Sequence, residues 1–317
     1  MKSLFQGPTK VKSAVVILIS VLIGLALSLS CAEATKKRTG KLQVVATIGM
    51  ISDAVKIIAG DKVEVTGLMG PGVDPHLYKA TKGDIDLLDN ADLILYNGLN
   101  LEAKMTEIFE KMRNVKPTVP VAEKVEDSLL RHPPEFQGHP DPHVWFNVLM
   151  WKTAVQSVAE ALVQNDTVNR QIYENNLADY LDSLEALHQW VAQEMSTIPE
   201  ARRVLVTAHD AFGYFGRAYN IEVRGLQGIS TVTEAGLFDI THMIDMLVER
   251  RIKAVFVETS VPRKAIDAVV EGCKANGHDI KIGGLLFSDA MGSEGTPEGT
   301  YVGMVRHNVN TIAKALR

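Results

Sequence analysis

The sequence predicts an α/β protein of two Rossmann-like lobes, each a parallel sheet covered by helices, joined by one long rigid linking helix. Three observations lead there. Short β-branched or apolar runs alternate with helical stretches on both sides of the chain's middle, the pattern of parallel, helix-covered sheets. Apolar residues at 172, 173, 177, 180, 181, 184, 187, 190, 191 and 195 keep a helical spacing for about eight turns. The chain of 317 residues also exceeds the size of one ordinary core.

Taken in order, 42–48 (LQVVATI) reads as a strand, 50–59 as a helix and 63–69 (VEVTGLM) as a second strand. Thr81 caps a helix through Leu88, 92–96 (DLILY) is a short buried strand, and 101–112 is helical. The stretch 121–141 carries Pro133, Pro134, Gly138 and Pro140 without a period and reads as a long loop, which usually means function or mobility. Pro199 closes the long helix, whose roughly 30 residues span about 45 Å, more than a crossover within one lobe needs. Strands then fall at 203–207 (RVLVT), 222–226, 254–258 (AVFVE) and 281–286, with helices near 211–219, 237–251, 262–275 and 301–316. The chain thus divides into an export signal (1–34), a tether (35–41), a first lobe (42–165), the linking helix (166–196) and a second lobe (197–317).

The export signal rests on Lys2, Lys10 and Lys12 ahead of an apolar run over 14–29 broken only by Ser20, Gly24 and Ser28. Ala32-Glu33-Ala34 is a small-x-small processing site. Leu27-Ser28-Leu29-Ser30-Cys31 resembles a lipobox, with Ser28 where a branched aliphatic residue is usual. Cleavage after Ala34 is expected, with lipidation of Cys31 as the alternative. Cys273 is then the only thiol of the folded body, so no internal disulfide forms, and it reads as a buried core residue.

Charge excludes some functions. The net charge is −5, but the first 30 residues hold 3 cations and no anions, leaving the remainder at −8. A mildly acidic body has no basic footprint for nucleic acid. No GxGxxG, P-loop or nucleophile elbow is present, which ranks nucleotide enzymes low.

In open α/β sheets ligands bind at the carboxyl ends of strands. The polar residues at those exits are Asp74-Pro75-His76, Asp141-Pro142-His143, His209-Asp210, Glu258 and Asp289. The proline of each Asp-Pro-His triplet fixes the backbone before a histidine, which suits a ligand held without a rotamer search, although x-Pro-x is also a generic turn. Separations of 67, 66 and 80 residues between His76, His143, His209 and Asp289 match no local zinc motif. Only the fold would join them. The remaining histidines, His132, His139, His188, His242, His278 and His307, lie in loops, turns or helices and read as ordinary polar residues.

Five blocks carry a family resemblance: 65–80 (VTGLMGPGVDPHLYKA), 141–148 (DPHVWFNV), 205–216 (LVTAHDAFGYFG), 225–236 (GLQGISTVTEAG) and 286–304 (LFSDAMGSEGTPEGTYVGM). In this order they resemble the metal-binding receptors of zinc and manganese ABC importers, the cluster A-I or cluster 9 family, from about residue 42 to the C-terminus. The resemblance implies two lobes on a rigid helix with the metal between them. It places the ligands on His76, His143, His209 and Asp289, residues the strand-exit argument had picked out.

Three imidazoles and a carboxylate suit zinc, which also lies above manganese in intrinsic affinity at such donors. Members specialised for manganese tend to carry Glu where this chain has His209, whereas zinc receptors often carry a long His-rich loop that here holds only His132 and His139. The expected cargo is zinc or manganese, with iron(II) a further possibility. Four filled positions leave none for the water a catalytic zinc needs, so the chain is expected to be no enzyme. Asp74, Asp141 and Asp210 are candidates to hydrogen-bond the ligand histidines, Glu258 lines the cleft without ligating, and Trp145 and Phe146 pack beneath the second ligand loop.

The expected partners are an ABC transporter permease and the divalent ion. The membrane is reached only through a lipid anchor at Cys31, and the receptor is a monomer outside the cytoplasmic membrane. A stiff linking helix allows small tilts, so docking on the permease would break the ligand set by a slight shift of the lobes. The alternatives are a surface adhesin or interaction lipoprotein, suggested by Cys31 and by similar proteins once described so, and a metallohydrolase with an open coordination position.

Overall fold

A computed structural model describes residues 40–136 and 138–317. The expected export signal, its cleavage sites, Cys31 and most of the tether lie outside the described residues.

The first sheet is formed by β1 (Leu42–Ala46), β2 (Val63–Gly67), β3 (Leu93–Tyr96) and β4 (Thr118–Pro120) in the order β2-β1-β3-β4, every pairing parallel. Parallel strands covered on both faces read as unbroken apolar runs, and β3 (LILY) is buried throughout. Helix α1 (Gly49–Ala59) follows β1. Helix α2 (Lys82–Asn90) starts at the expected Thr81, whose hydroxyl accepts from Asp84 N while Asp84 accepts in return from Thr81 N, a reciprocal cap.

The expected helix at 101–112 is divided into a 3₁₀ turn, Ala103–Met105, and α3 (Thr106–Arg113). Leu99 and Asn100 adopt positive φ, and Glu102 turns inward to accept from Thr47 Oγ1, Asn97 N and Gly98 N. That inward carboxylate stops the helix from starting earlier. Residues 121–141 form the expected long loop, held by short 3₁₀ turns.

Two elements escape the sequence reading. Strand β4 has only three residues and ends in Pro120. Helix α4 (Val148–Asn165) is capped by Asn147, whose side chain accepts from Leu149 N and Met150 N. Its buried residues fall on nearly every side, because it lies against α1 and β3 as well as the linking helix. A helix wetted on no broad face shows no amphipathic stripe.

The linking helix is α5 (Arg170–Ser196), 27 residues, or about 40 Å long. It begins later than expected because Asp166 ends α4 and caps a 3₁₀ turn, Thr167–Asn169. Tyr173, Tyr180, Leu184, Leu187, Val191 and Met195 form its buried stripe.

The second half repeats the alternation: β5 (Val204–His209), α6 (Gly213–Tyr219), β6 (Glu222–Gln227), α7 (Leu237–Glu249), β7 (Ala254–Glu258), α8 (Lys264–Ala275), β8 (Lys281–Leu286) and α9 (Tyr301–Leu316). β5 pairs with β6 and β7 with β8, both parallel, and β5 lies beside β7. One apolar core runs from the first sheet through α4 and α5 to α9, and a second fills the space among β5, β7, α7 and α8. Cys273 is buried in that second core as a free thiol. Among the described residues no helix is long and apolar enough to cross a membrane.

Candidate metal centre

The two Asp-Pro-His triplets share one local device. Asp74 Oδ1 accepts from His76 N at 2.8 Å, and Asp141 Oδ1 accepts from His143 N at 3.0 Å. Each aspartate closes a tight turn on the residue two positions later, with the proline fixing the backbone between them. Asp141 Oδ1 also takes a hydrogen bond from the His143 ring at Nδ1, 2.7 Å away. A carboxylate at Nδ1 fixes the tautomer and turns the Nε2 lone pair inward.

His209 is the last residue of β5. Glu258 ends the neighbouring β7 and holds His209 twice, accepting from its backbone N at 2.9 Å and its Nδ1 at 2.5 Å. Asp289 follows β8. Trp145 packs edge-on to the His143 ring at 5.2 Å between centroids and donates from Nε1 to the Ser288 carbonyl at 3.1 Å. Phe146 is buried beside it.

All four expected residues meet. One donor atom from each of His76, His143, His209 and Asp289 lies within 4.8 Å of every other. His76 Nε2 is 3.3 Å from His143 Nε2, His143 Nε2 is 3.3 Å from Asp289 Oδ1, and His209 Nε2 is 3.2 Å from Asp289 Oδ2. Four donors arranged tetrahedrally about 2.0–2.1 Å from one ion stand roughly 3.3 Å apart, which these three pairs match, while His76 Nε2 stands 3.9 Å from Asp289 Oδ2. The set is sealed, with exposures of 2%, 0%, 0% and 1% in sequence order. Yet among the described residues His209 Nε2 and both Asp289 oxygens make no hydrogen bond. Buried polar atoms are normally satisfied, so unpaired donors aimed at one point mark a place for a cation.

The electrostatics agree. Burial, assisted by His143 and His209 and opposed by Asp289, pushes His76 down to about 3. Burial works against a charge on His143 too, but the Asp141 and Asp289 carboxylates prevail and lift it to about 9. At His209 the same contest is won by Glu258 and Asp289, well above the ordinary value. Asp289, despite its burial, is held well below the carboxylate range by His209 and His143. Asp289 is thus the group that calls for positive charge beside it, and His143 and His209 are the rings that face it.

Of the supporting carboxylates, Asp141 bonds a ligand ring as expected. Asp74 takes only the His76 backbone and, on its other oxygen, Thr231 Oγ1 at 2.5 Å. Asp210 faces Arg131 instead. Glu258 lines the cleft without joining the ligand cluster, and its bond to the ring of His209 was not legible because nothing in sequence shows β5 beside β7. Arg131 was also missed, being one cation in an aperiodic loop. The other histidines have ordinary surroundings: His132 contacts Asp127, His188 contacts Tyr219 Oη, and His278 and His307 meet the backbone carbonyls of Ile252 and Leu285.

Known proteins share this architecture. Residues 44–315 match the family described as ZnuA, zinc-uptake complex component A, periplasmic. The manganese-binding lipoprotein MntA of Bacillus subtilis is 49% identical over 286 residues, covering 90% of this chain and 93% of the relative. The metal ABC transporter substrate-binding lipoprotein FimA of Streptococcus parasanguinis is 32% identical, covering 97% and 99%. The solved structure of the periplasmic zinc-binding protein TroA from Treponema pallidum superimposes with a TM-score of 0.86 at 50% identity, covering 87% of this chain and 99% of that one. With the match running from the first strand into the last helix, the chain belongs to the ZnuA family of metal-uptake receptors.

Proposed function

We propose that this chain captures a divalent transition metal, zinc or manganese, between its two lobes outside the cytoplasmic membrane and delivers it to an ABC import permease. His76 and His143 from the first lobe and His209 and Asp289 from the second are the ligands. The observation that carries this reading is the sealed cluster of four donor atoms within 4.8 Å of one another, in which His209 Nε2 and both Asp289 oxygens make no hydrogen bond among the described residues. Four protein donors leave no open position for an activated water, so the site suits a carrier and not a hydrolase.

Residues 1–34 are the export signal, with Cys31 as the alternative lipid anchor. Residues 35–41 form the tether, and 42–165 and 197–317 the metal-binding lobes on either side of 166–196. The receptor acts as a monomer. The MntA and TroA relatives are named for different metals, so kinship does not choose between them. Three imidazole nitrogens favour zinc over manganese, with iron(II) between them in intrinsic affinity.

Metal analysis of the native protein and of His209→Glu, with zinc and manganese in competition, tests the reading. The native form is expected to prefer zinc, and the glutamate, a harder donor, to shift preference toward manganese. Equal preference in both forms would sink the argument from donor chemistry.

A further inference from the structure

The long loop at 121–141 brings Arg131 between the two halves of the site. Its Nη1 donates to Asp141 Oδ2 at 2.5 Å, and its Nη2 donates to Asp210 Oδ2 at 3.2 Å. Asp141 uses its other oxygen to hold the His143 ring, and Asp210 directly follows His209. One guanidinium is therefore shared by an acid beside a first-lobe histidine and an acid beside a second-lobe histidine.

Its seat is built for it. Arg131 N donates to Tyr214 Oη at 3.0 Å, Tyr214 Oη donates to the Asp141 carbonyl at 2.8 Å, and Asp141 N donates to the Arg131 carbonyl at 2.8 Å. The guanidinium lies across Gly213, the first residue of α6, where a Cβ would come within 1.4 Å of Nη1 and 2.0 Å of Cζ. Only glycine leaves that space. The Arg131 side chain is 27% exposed and that of Asp141 0%, so water screens the bond weakly.

We propose that Arg131 is a latch across the lobe interface that slows release of the bound ion, as a positioning residue and not a ligand. The inference rests on the carrier reading above. A movement that parts His143 from His209 also parts Asp141 from Asp210, and the guanidinium cannot follow both. One charge-assisted hydrogen bond has to break before the ligand set opens. The planar fork of arginine serves two carboxylates at fixed angles, which the point charge of lysine does not reproduce.

The test is zinc release from loaded protein mixed rapidly with an excess of a chromophoric chelator. The forms compared are native, Arg131→Met, Asp210→Ala, Gly213→Ala, and the double variant Arg131→Met with Asp210→Ala. Each single variant is expected to release zinc roughly tenfold faster with little change in uptake rate. The double variant is expected to be no faster than the faster single, because both remove the same bond. Gly213→Ala retains every charge and only unseats the guanidinium, so it carries the test if Arg131→Met disturbs folding. Unchanged release in Asp210→Ala and Gly213→Ala overturns the latch, as do single effects that multiply in the double variant. A native protein that binds neither zinc nor manganese overturns the carrier reading instead.

Discussion

The two lobes orient their histidines by different means. In the first, His76 and His143 each follow two residues behind an aspartate that accepts their own N–H, so ligand and orienting group travel together along the chain. In the second, His209 depends on Glu258, 49 residues away, and meets it only because β5 and β7 are neighbours. The first lobe writes its half of the site in local sequence. The second writes it in topology, and an error in strand packing there would misplace a histidine that is itself intact.

The hardest test of this contrast removes a ligand from each side. His143→Ala and His209→Ala are each expected to weaken zinc binding by a factor on the order of a thousand or more, since each leaves a three-donor cage around an uncompensated Asp289. Competition against a chelator of known affinity measures both. A variant that keeps near-native affinity would show that its lobe does not contribute a ligand.

A finer test changes the orienting acids. Glu258→Gln and Asp141→Asn are each expected to cost about 10–100-fold in affinity. They should differ in kind: Asp141→Asn keeps the carbonyl that closes the Asp-Pro-His turn, whereas Glu258→Gln weakens a contact that also ties β7 to β5. With Arg131→Met present in both, which removes the Asp141–Arg131 bond from the comparison, a lower melting temperature of the metal-free form is expected for Glu258→Gln alone. Equal melting of the two variants would remove the distinction between local and topological support.

The third test is acidity. Despite burial, His143, lifted to about 9 by Asp141 and Asp289, and His209, raised well above its ordinary value by Glu258 and Asp289, hold a proton more tightly than a free imidazole, while burial pushes His76 down to about 3. Raised values mean that protons compete throughout the range below them, so apparent zinc affinity falls as pH falls. One proton displaced per ion costs about tenfold in apparent affinity per pH unit, so a loss of at least about that size is expected as pH falls below roughly 9, the value of His143. Titrations across that range that show a flat affinity would contradict the charge states of the cage.

What was legible in the sequence follows the same division. Strands β3 and β7 were readable because buried parallel strands are unbroken apolar runs, and helix α9 because an amphipathic helix keeps its period. Strand exits then nominated His76, His209 and Asp289, the end of the long loop nominated His143, and the family resemblance selected these four from the wider set of polar residues. Helix α4 was not readable, since a helix packed on nearly all sides has no stripe. Glu258 as the partner of His209 and Arg131 as the bridge between Asp141 and Asp210 were also hidden, because each acts on a residue brought near only by strand order or by the docking of a loop.

The position of α9 has one further consequence. Tyr301, Met304, Val309 and Ile312 belong to the same apolar core as β1 and α5, and Tyr301 N donates to Asp53 Oδ2 in α1. The last helix of the chain thus completes the interior begun by its first strand. The first lobe therefore does not close its own interior: without this 16-residue helix it would be left unroofed, whereas the core among β5, β7, α7 and α8 would lose none of its members.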